Sequence, residues 1–186
     1  MGTSLKKNLL RAGILIVIVL IVGAFIWVYT NPNYKEYQGL QMRPTWDVSD
    51  NINYGTQNVQ FAKMVESAGF YTFLHDKGPF TVFVPTDKAY SDLPPSITDN
   101  LFQPNNAGTL RQFLLYHIVK GKYLESDFRN NMKLETLEGD TITLNKTANG
   151  YWIINGSSYI QTYDIVSKNG VIHMTTAYLK PPGVFQ

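Results

Sequence analysis

The chain contains no cysteine. That excludes disulfides, thiolate metal centres, a thiol nucleophile and a thioester- or thioether-linked lipid, so any folded part must stand on its apolar core alone. The motif of a nucleophilic serine elbow, phosphate-cradling glycine loops and dinucleotide fingerprints are also missing. His75, His117 and His173 are the only histidines, and no two of them share the helical spacing of a metal-binding pair. They read as hydrogen-bonded structural residues, and no metal, cofactor or catalytic group is called for. There is no internal repeat, so a single copy of one domain is expected.

Charge of one sign is scarce as well. Sixteen Lys and Arg face fourteen Asp and Glu, a net +2. Lys6, Lys7 and Arg11 lie ahead of a long apolar run; without them 13 basic residues remain against 14 acidic, or −1. No basic face is left to neutralise phosphates, so nucleic acid is not an expected partner.

What the sequence does have, first, is that run. Between Ala12 and Tyr29 no residue is charged and 12 of 18 are Ile, Leu, Val or Phe, favouring bilayer insertion by about −4 to −7 kcal/mol. At ~1.5 Å per residue a helix of this length spans most of a ~30 Å hydrocarbon layer. The basic start, with Trp27 and Tyr29 as interfacial anchors at the far end, places the N-terminus in the cytoplasm and the remainder outside, periplasmic or extracellular. A cleaved secretory signal would share the basic start but have a shorter apolar region; Phe25 to Val28 prolong this one past the small residues Gly23 and Ala24. The reading is a cytoplasmic tail over 1–11, a retained transmembrane helix over 12–29, a tether over 30–47, a domain over 48–182 and a short tail over 183–186.

The tether is broken by Pro32, Gly39 and Pro44, yet Tyr34, Tyr37, Leu40, Met42 and Trp46 are costly to leave in water, so it should lie on its own domain, on lipid headgroups or on another protein. Beyond it, Phe61, Met64, Val65 and Ala68 form one helical stripe ended by Gly69, and a short helix follows over 70–75. Pro94-Pro95 stops another helix, and Ser96 is placed to cap the next, through Leu101. Leu110, Phe113, Leu114, His117 and Ile118 share one face of a helix expected over 109–119. The last third alternates with period two, in hairpins turning at Glu138-Gly139-Asp140 and Asn155-Gly156, the latter suited to a type I′ turn. Helices early and hairpins late give an α+β layout.

At the centre stands GPFTVFVPTDKAY, Gly78 to Tyr90. Phe80 to Val84 is an unbroken apolar, β-favouring run that reads as a strand buried on both faces and stopped by Pro85. Thr86 can cap the helix that follows, with Asp87 at its positive end. This stretch resembles the first signature of the fasciclin domain family, whose members read much like GPFTVFAPTDxAF. The resemblance continues in order through Leu114-Leu115-Tyr116-His117-Ile118-Val119 and a closing strand, Asn169 to Met174. It implies a wedge-shaped β-sandwich with helices along one edge, and makes Thr81, Phe83, Pro85, Thr86, Asp87, Tyr116, His117, Gly170, Ile172 and His173 signature, structural positions.

In adhesive members of that family, integrin contacts are ascribed to an Asp-Ile pair and to the Tyr-His region, here Asp164-Ile165 and Tyr116-His117. Because Tyr and Trp supply much of the energy of protein interfaces, the aromatic residues of span, tether and domain, of which about half are expected in the core and the others facing out, are the other contact candidates. These are Trp27, Tyr29, Tyr34, Tyr37 and Trp46, then Tyr54, Tyr123, Tyr151, Trp152, Tyr159, Tyr163 and Tyr178. Asn145-Lys-Thr147 and Asn155-Gly-Ser157 match the N-glycosylation pattern, although a tight turn already explains Asn155. The functional expectation is a non-enzymatic, single-pass membrane protein whose outer domain contacts other proteins as an accessory subunit of an integral membrane complex, respiratory or photosynthetic, with the bilayer as a second partner. The alternative is a membrane-tethered adhesion module binding matrix, glycan or neighbouring cells.

Overall fold

A computed structural model describes residues 39–184. Among them no helix is long and apolar enough to cross a membrane; the span expected over 12–29, with Trp27 and Tyr29, and the tether residues Tyr34 and Tyr37 lie outside the described residues.

The central run forms β1, Phe80–Pro85, with every residue buried. It pairs in parallel with β7, Gly170–Thr175, and antiparallel with β2, Ile118–Lys120. Both faces meet apolar partners, which is why alternation is absent: Phe80, Val82 and Val84 enter one core with Ile172 and Met174, while Phe83 enters a second with Tyr116, Val119, Phe128 and Ile142.

β3 (Met132–Glu135), β4 (Thr141–Lys146), β5 (Trp152–Ile154) and β6 (Ser158–Ser167) complete a seven-stranded sheet of order β2-β1-β7-β6-β5-β4-β3. At the β5–β6 turn both Asn155 (φ +50°) and Gly156 (φ +68°) have the positive φ that type I′ demands. β6 pairs with strands on both sides, and its register against β7 shifts between Ile160 and Thr162 and again before Ile165, with Asp164 at φ +56°. These bulges bend the sheet until its end strands meet: Val119 bridges Thr136, and the Leu137 amide donates to Ile118 O at 2.7 Å. The expected two-sheet sandwich is therefore corrected to one barrel-like sheet. A single long strand serves both halves, so the halves never separate.

The helices are α1 (Val48–Tyr54), α2 (Val59–Ser67), α3 (Tyr71–Asp76), α4 (Asp87–Ser91), α5 (Pro95–Leu101) and α6 (Ala107–Tyr116). They cover the β2-β1-β7 end of the sheet: α1 lies against β1 and β7, α4 against β1, and α6 against β2. Phe61, Met64 and Val65 of α2 face the core as expected. Gly69 (φ +68°) closes the helix in a Schellman arrangement, its amide donating to Glu66 O and that of Phe70 to Val65 O, both at 2.9 Å.

Three local expectations change. α6 ends at Tyr116, not Val119, because Ile118 to Lys120 complete hydrogen bonds with β1. Thr86 occupies the cap position of α4 but its side chain makes no capping bond; Asp87 Oδ1 instead accepts from the amide of Gln60, 2.8 Å away, in the first turn of α2. α5 starts at Pro95, so Pro94 holds the cap position expected of Ser96. Upstream, Leu40 and Met42 are buried in the core, and Trp46 packs on Tyr54 with 5.0 Å between ring centres.

Candidate interaction surface

The signature residues are consumed by the fold. Thr81 Oγ1 donates to Gly121 O and accepts from the Tyr123 amide, each at 2.9 Å, tying β1 to the segment after β2. Phe83 and Ile172 have no exposed surface. Pro85 sits opposite Thr175 at the end of its ladder, and Gly170 packs so closely on Phe80 that a Cβ there would lie 2.3 Å from the Phe80 carbonyl oxygen. The Tyr116 hydroxyl accepts from Asn155 Nδ2 at 3.0 Å. That bond commits the Asn155 amide nitrogen inward.

Both signature histidines are buried, with partners on both ring nitrogens. A carbonyl oxygen can only accept and an amide N–H can only donate, so the tautomers follow. His117 donates from Nδ1 to Phe113 O (2.8 Å) and accepts at Nε2 from the Leu179 amide (3.0 Å), among the rings of Phe61, Phe113 and Tyr178. His173 is the opposite tautomer, donating from Nε2 to Tyr123 O (2.9 Å) and accepting at Nδ1 from the Asp164 amide (3.3 Å). Complete burial pulls the His117 pKa down to about 4, against a small opposing effect of the Phe113 bond. Burial lowers that of His173 too, opposed by the Tyr123 bond and the Asp164 charge. Neither ring has a free nitrogen to offer a metal or substrate.

The Asp164-Ile165 pair does not present a joint surface. Ile165 has no exposed area, which corrects its expectation as a contact residue, and the same burial removes Tyr116 and His117. Asp164 is half-buried in the bulge of β6, where its Oδ1 accepts from the Glu125 amide at 2.8 Å. Trp152 and Tyr178 also turn inward, and Tyr123 and Tyr163 are partly covered.

Among the described residues, the tyrosines that remain well exposed lie in two places. On the β5–β6 hairpin Tyr151 and Tyr159 are 59% and 44% exposed. The second place is the helical side, where Ile52 and Asn53 of α1, Ala62, Val65 and Glu66 of α2 and Tyr71 of α3 line a groove of about 250 Å³. Tyr54, 54% exposed, ends the same α1. At the groove's end the Tyr71 hydroxyl donates to Asp50 Oδ1 at 2.6 Å. The Tyr71 ring stacks on His75 (5.9 Å), whose Nδ1 lies 2.6 Å from Asp47 Oδ2.

Asp47 in turn caps α1, accepting from Ser49 Oγ (2.6 Å) and the Asp50 amide (2.9 Å). Burial would raise its carboxyl pKa, but the Ser49 and Asp50 bonds and the nearby His75 outweigh that and hold it below the usual value. The bond to Asp50, then burial and the Asp50 charge, push Tyr71 up to about 12. Asp47, Asp50 and His75 place one ligand atom each within 4.8 Å of one another, a spacing open to a cation. As found, those atoms are engaged with each other, with α1 and with Tyr71. The sequence reading missed Tyr71 and this cluster, since its parts come from two helices; the only local signal is Tyr71 four residues before His75 on α3.

The fasciclin domain model matches residues 57–181. The chain belongs to the fasciclin domain family. Among curated relatives, the uncharacterized protein sll1735 of Synechocystis is 36% identical over 110 residues, 59% of this chain and 79% of the relative. Rat stabilin-2 is 34% identical over 113 residues, 59% of this chain but only 8% of that protein. Porcine transforming growth factor-beta-induced protein ig-h3 is 27% identical over 139 residues, 75% of this chain and 20% of the relative. This chain thus spans only 8% and 20% of the length of these two animal proteins. In structure, the FAS1 domain pair of the insect cell adhesion molecule fasciclin I superposes with a TM-score of 0.68 at 21% identity, over 77% of this chain and 53% of that one. At that identity the likeness is one of fold.

Proposed function

We propose that this fasciclin protein is a non-enzymatic, single-pass membrane protein whose outer domain docks onto another protein, as an accessory subunit of a larger integral membrane complex. The observation that carries the reading is a division of labour. The signature histidines, His117 and His173, are neutral, buried and fully bonded, whereas Tyr54 and Tyr71 stand exposed on the helical side, Tyr71 lining the groove and Tyr54 ending the same α1. Exposed Tyr beside an apolar hollow is the composition of an interface hot spot. The uncharged run from Ala12 to Tyr29 supplies the anchor.

Purification of the tagged full-length chain from its native membranes in a mild detergent tests this. Stoichiometric integral partners are the expected result; a bare monomer would refute it. A second reading, a tethered adhesion module, draws on Asp164, which keeps part of its surface in solvent at the bulge of β6. It calls for surface binding by the immobilised chain that Asp164→Ala weakens.

A further inference from the structure

The groove between α1, α2 and α3 has a definite chemical character. Its floor is aliphatic, where Ala62 and Val65 keep a little surface over the fully buried Ile52, and a volume near 250 Å³ admits one or two side chains. Its rim carries charge of one sign. Glu66 lines it directly and forms no ion pair among the described residues. At the Tyr71 end stands the Asp50 carboxylate, bound by the Tyr71 hydroxyl, while Asp47 behind it is already engaged by His75. Lys63, the only basic residue of α2, is not part of the lining.

We infer that this groove is the seat for a short partner segment that inserts an aliphatic side chain and sets a lysine or arginine against Glu66 and Asp50. The inference rests on the docking reading above and names the partner's chemistry. The aliphatic group gains by leaving water. The cation gains from a carboxylate that has no other ion partner, a modest term at a half-open site that serves selectivity more than strength. Tyr71 flanks both: its ring walls the apolar hollow, and its hydroxyl orients the Asp50 carboxylate.

The test uses the full chain in phosphatidylcholine nanodiscs, so that the lipid adds no net charge, with labelled methyl groups of Ile52, Ala62 and Val65 as reporters. Acetyl-Leu-Lys-amide, acetyl-Leu-Gln-amide and acetyl-Leu-Glu-amide are titrated in turn. The expected result is saturable movement of all three methyl signals, with affinity falling from Lys to Gln to Glu by about two- to fivefold per step, the scale of an exposed ion pair. In Glu66→Gln, an exposed position, the preference of the Lys peptide over the Gln peptide should shrink by about half or more, the remainder being held by Asp50. Unmoved methyl signals, equal affinity for the three peptides, or a groove already filled by acyl chains of the disc would each overturn the inference. Failure here beside successful co-purification removes the groove assignment and leaves the docking reading standing. Ordered peptide binding with a bare monomer from membranes supports the groove and removes the accessory-subunit reading.

Discussion

The backbone amide of Leu179 donates to Nε2 of His117 across 3.0 Å, joining the end of α6 to the segment beyond β7, 62 residues later. The bond requires a neutral ring. Unfolded, an imidazole takes its proton near 6.5, whereas folded His117 holds out to about 4 and His173 is shifted the same way. Between those values the unfolded state binds more protons, so stability is complete above about pH 6.5 and falls as pH drops towards 4. The expected slope approaches about 1.4 kcal/mol per pH unit for His117, with His173 adding in the same direction. Melting curves across this range should show it, and His117→Gln should start less stable but lose stability less steeply.

Gly170 offers a test of close packing. A Cβ there would meet Phe80 O at 2.3 Å and Val48 Cγ2 at 2.9 Å, and the first of these is backbone that cannot swing aside. Gly170→Ala should destabilise by about 1–3 kcal/mol or more. Gly108, in the first turn of α6 with nothing within 4 Å of its would-be Cβ, is the control; Gly108→Ala should stabilise by a few tenths to about 1 kcal/mol. Denaturant unfolding of both variants checks the pair.

Asp87 reaches across from α4 to cap α2, whose own Asn58 makes no capping bond. Asp87→Ala should cost about 1 kcal/mol, and hydrogen exchange should quicken first at the amide of Gln60.

Phe83 has no exposed surface and stacks on His173 with 5.6 Å between ring centres. Phe83→Ala should cost about 3–5 kcal/mol in thermal or denaturant unfolding. Unchanged melting would refute the placement of this side chain in the second core.

Much of this fold is written locally. The run Phe80 to Val84 announces a strand with two buried faces, Asn155-Gly156 a tight turn, and Phe61, Met64 and Val65 a helix face. What escapes local reading depends on partners remote in sequence. The apolar period of α6 continues through His117 and Ile118, and only pairing with Val82 and Thr81 converts that end into β2. The bulges of β6, which turn an expected sandwich into a barrel-like sheet, arise where its register against β7 slips. The groove was legible in its parts but not as a site: Asp50 and Tyr71 meet across 21 residues, a separation without a spacing rule. Conversely, the resemblance drew attention to Ile165, Tyr116 and His117, whose apolar runs already marked them as interior.

The central claim is that the folded domain acts by touching another protein with its helical side. In native membranes, a photo-crosslinking amino acid placed at Tyr54 or Tyr71 should yield one discrete protein adduct, while the same probe at Gln161, exposed on β6, should not. Absence of adducts at both tyrosines, or equal labelling from Gln161, would contradict the account.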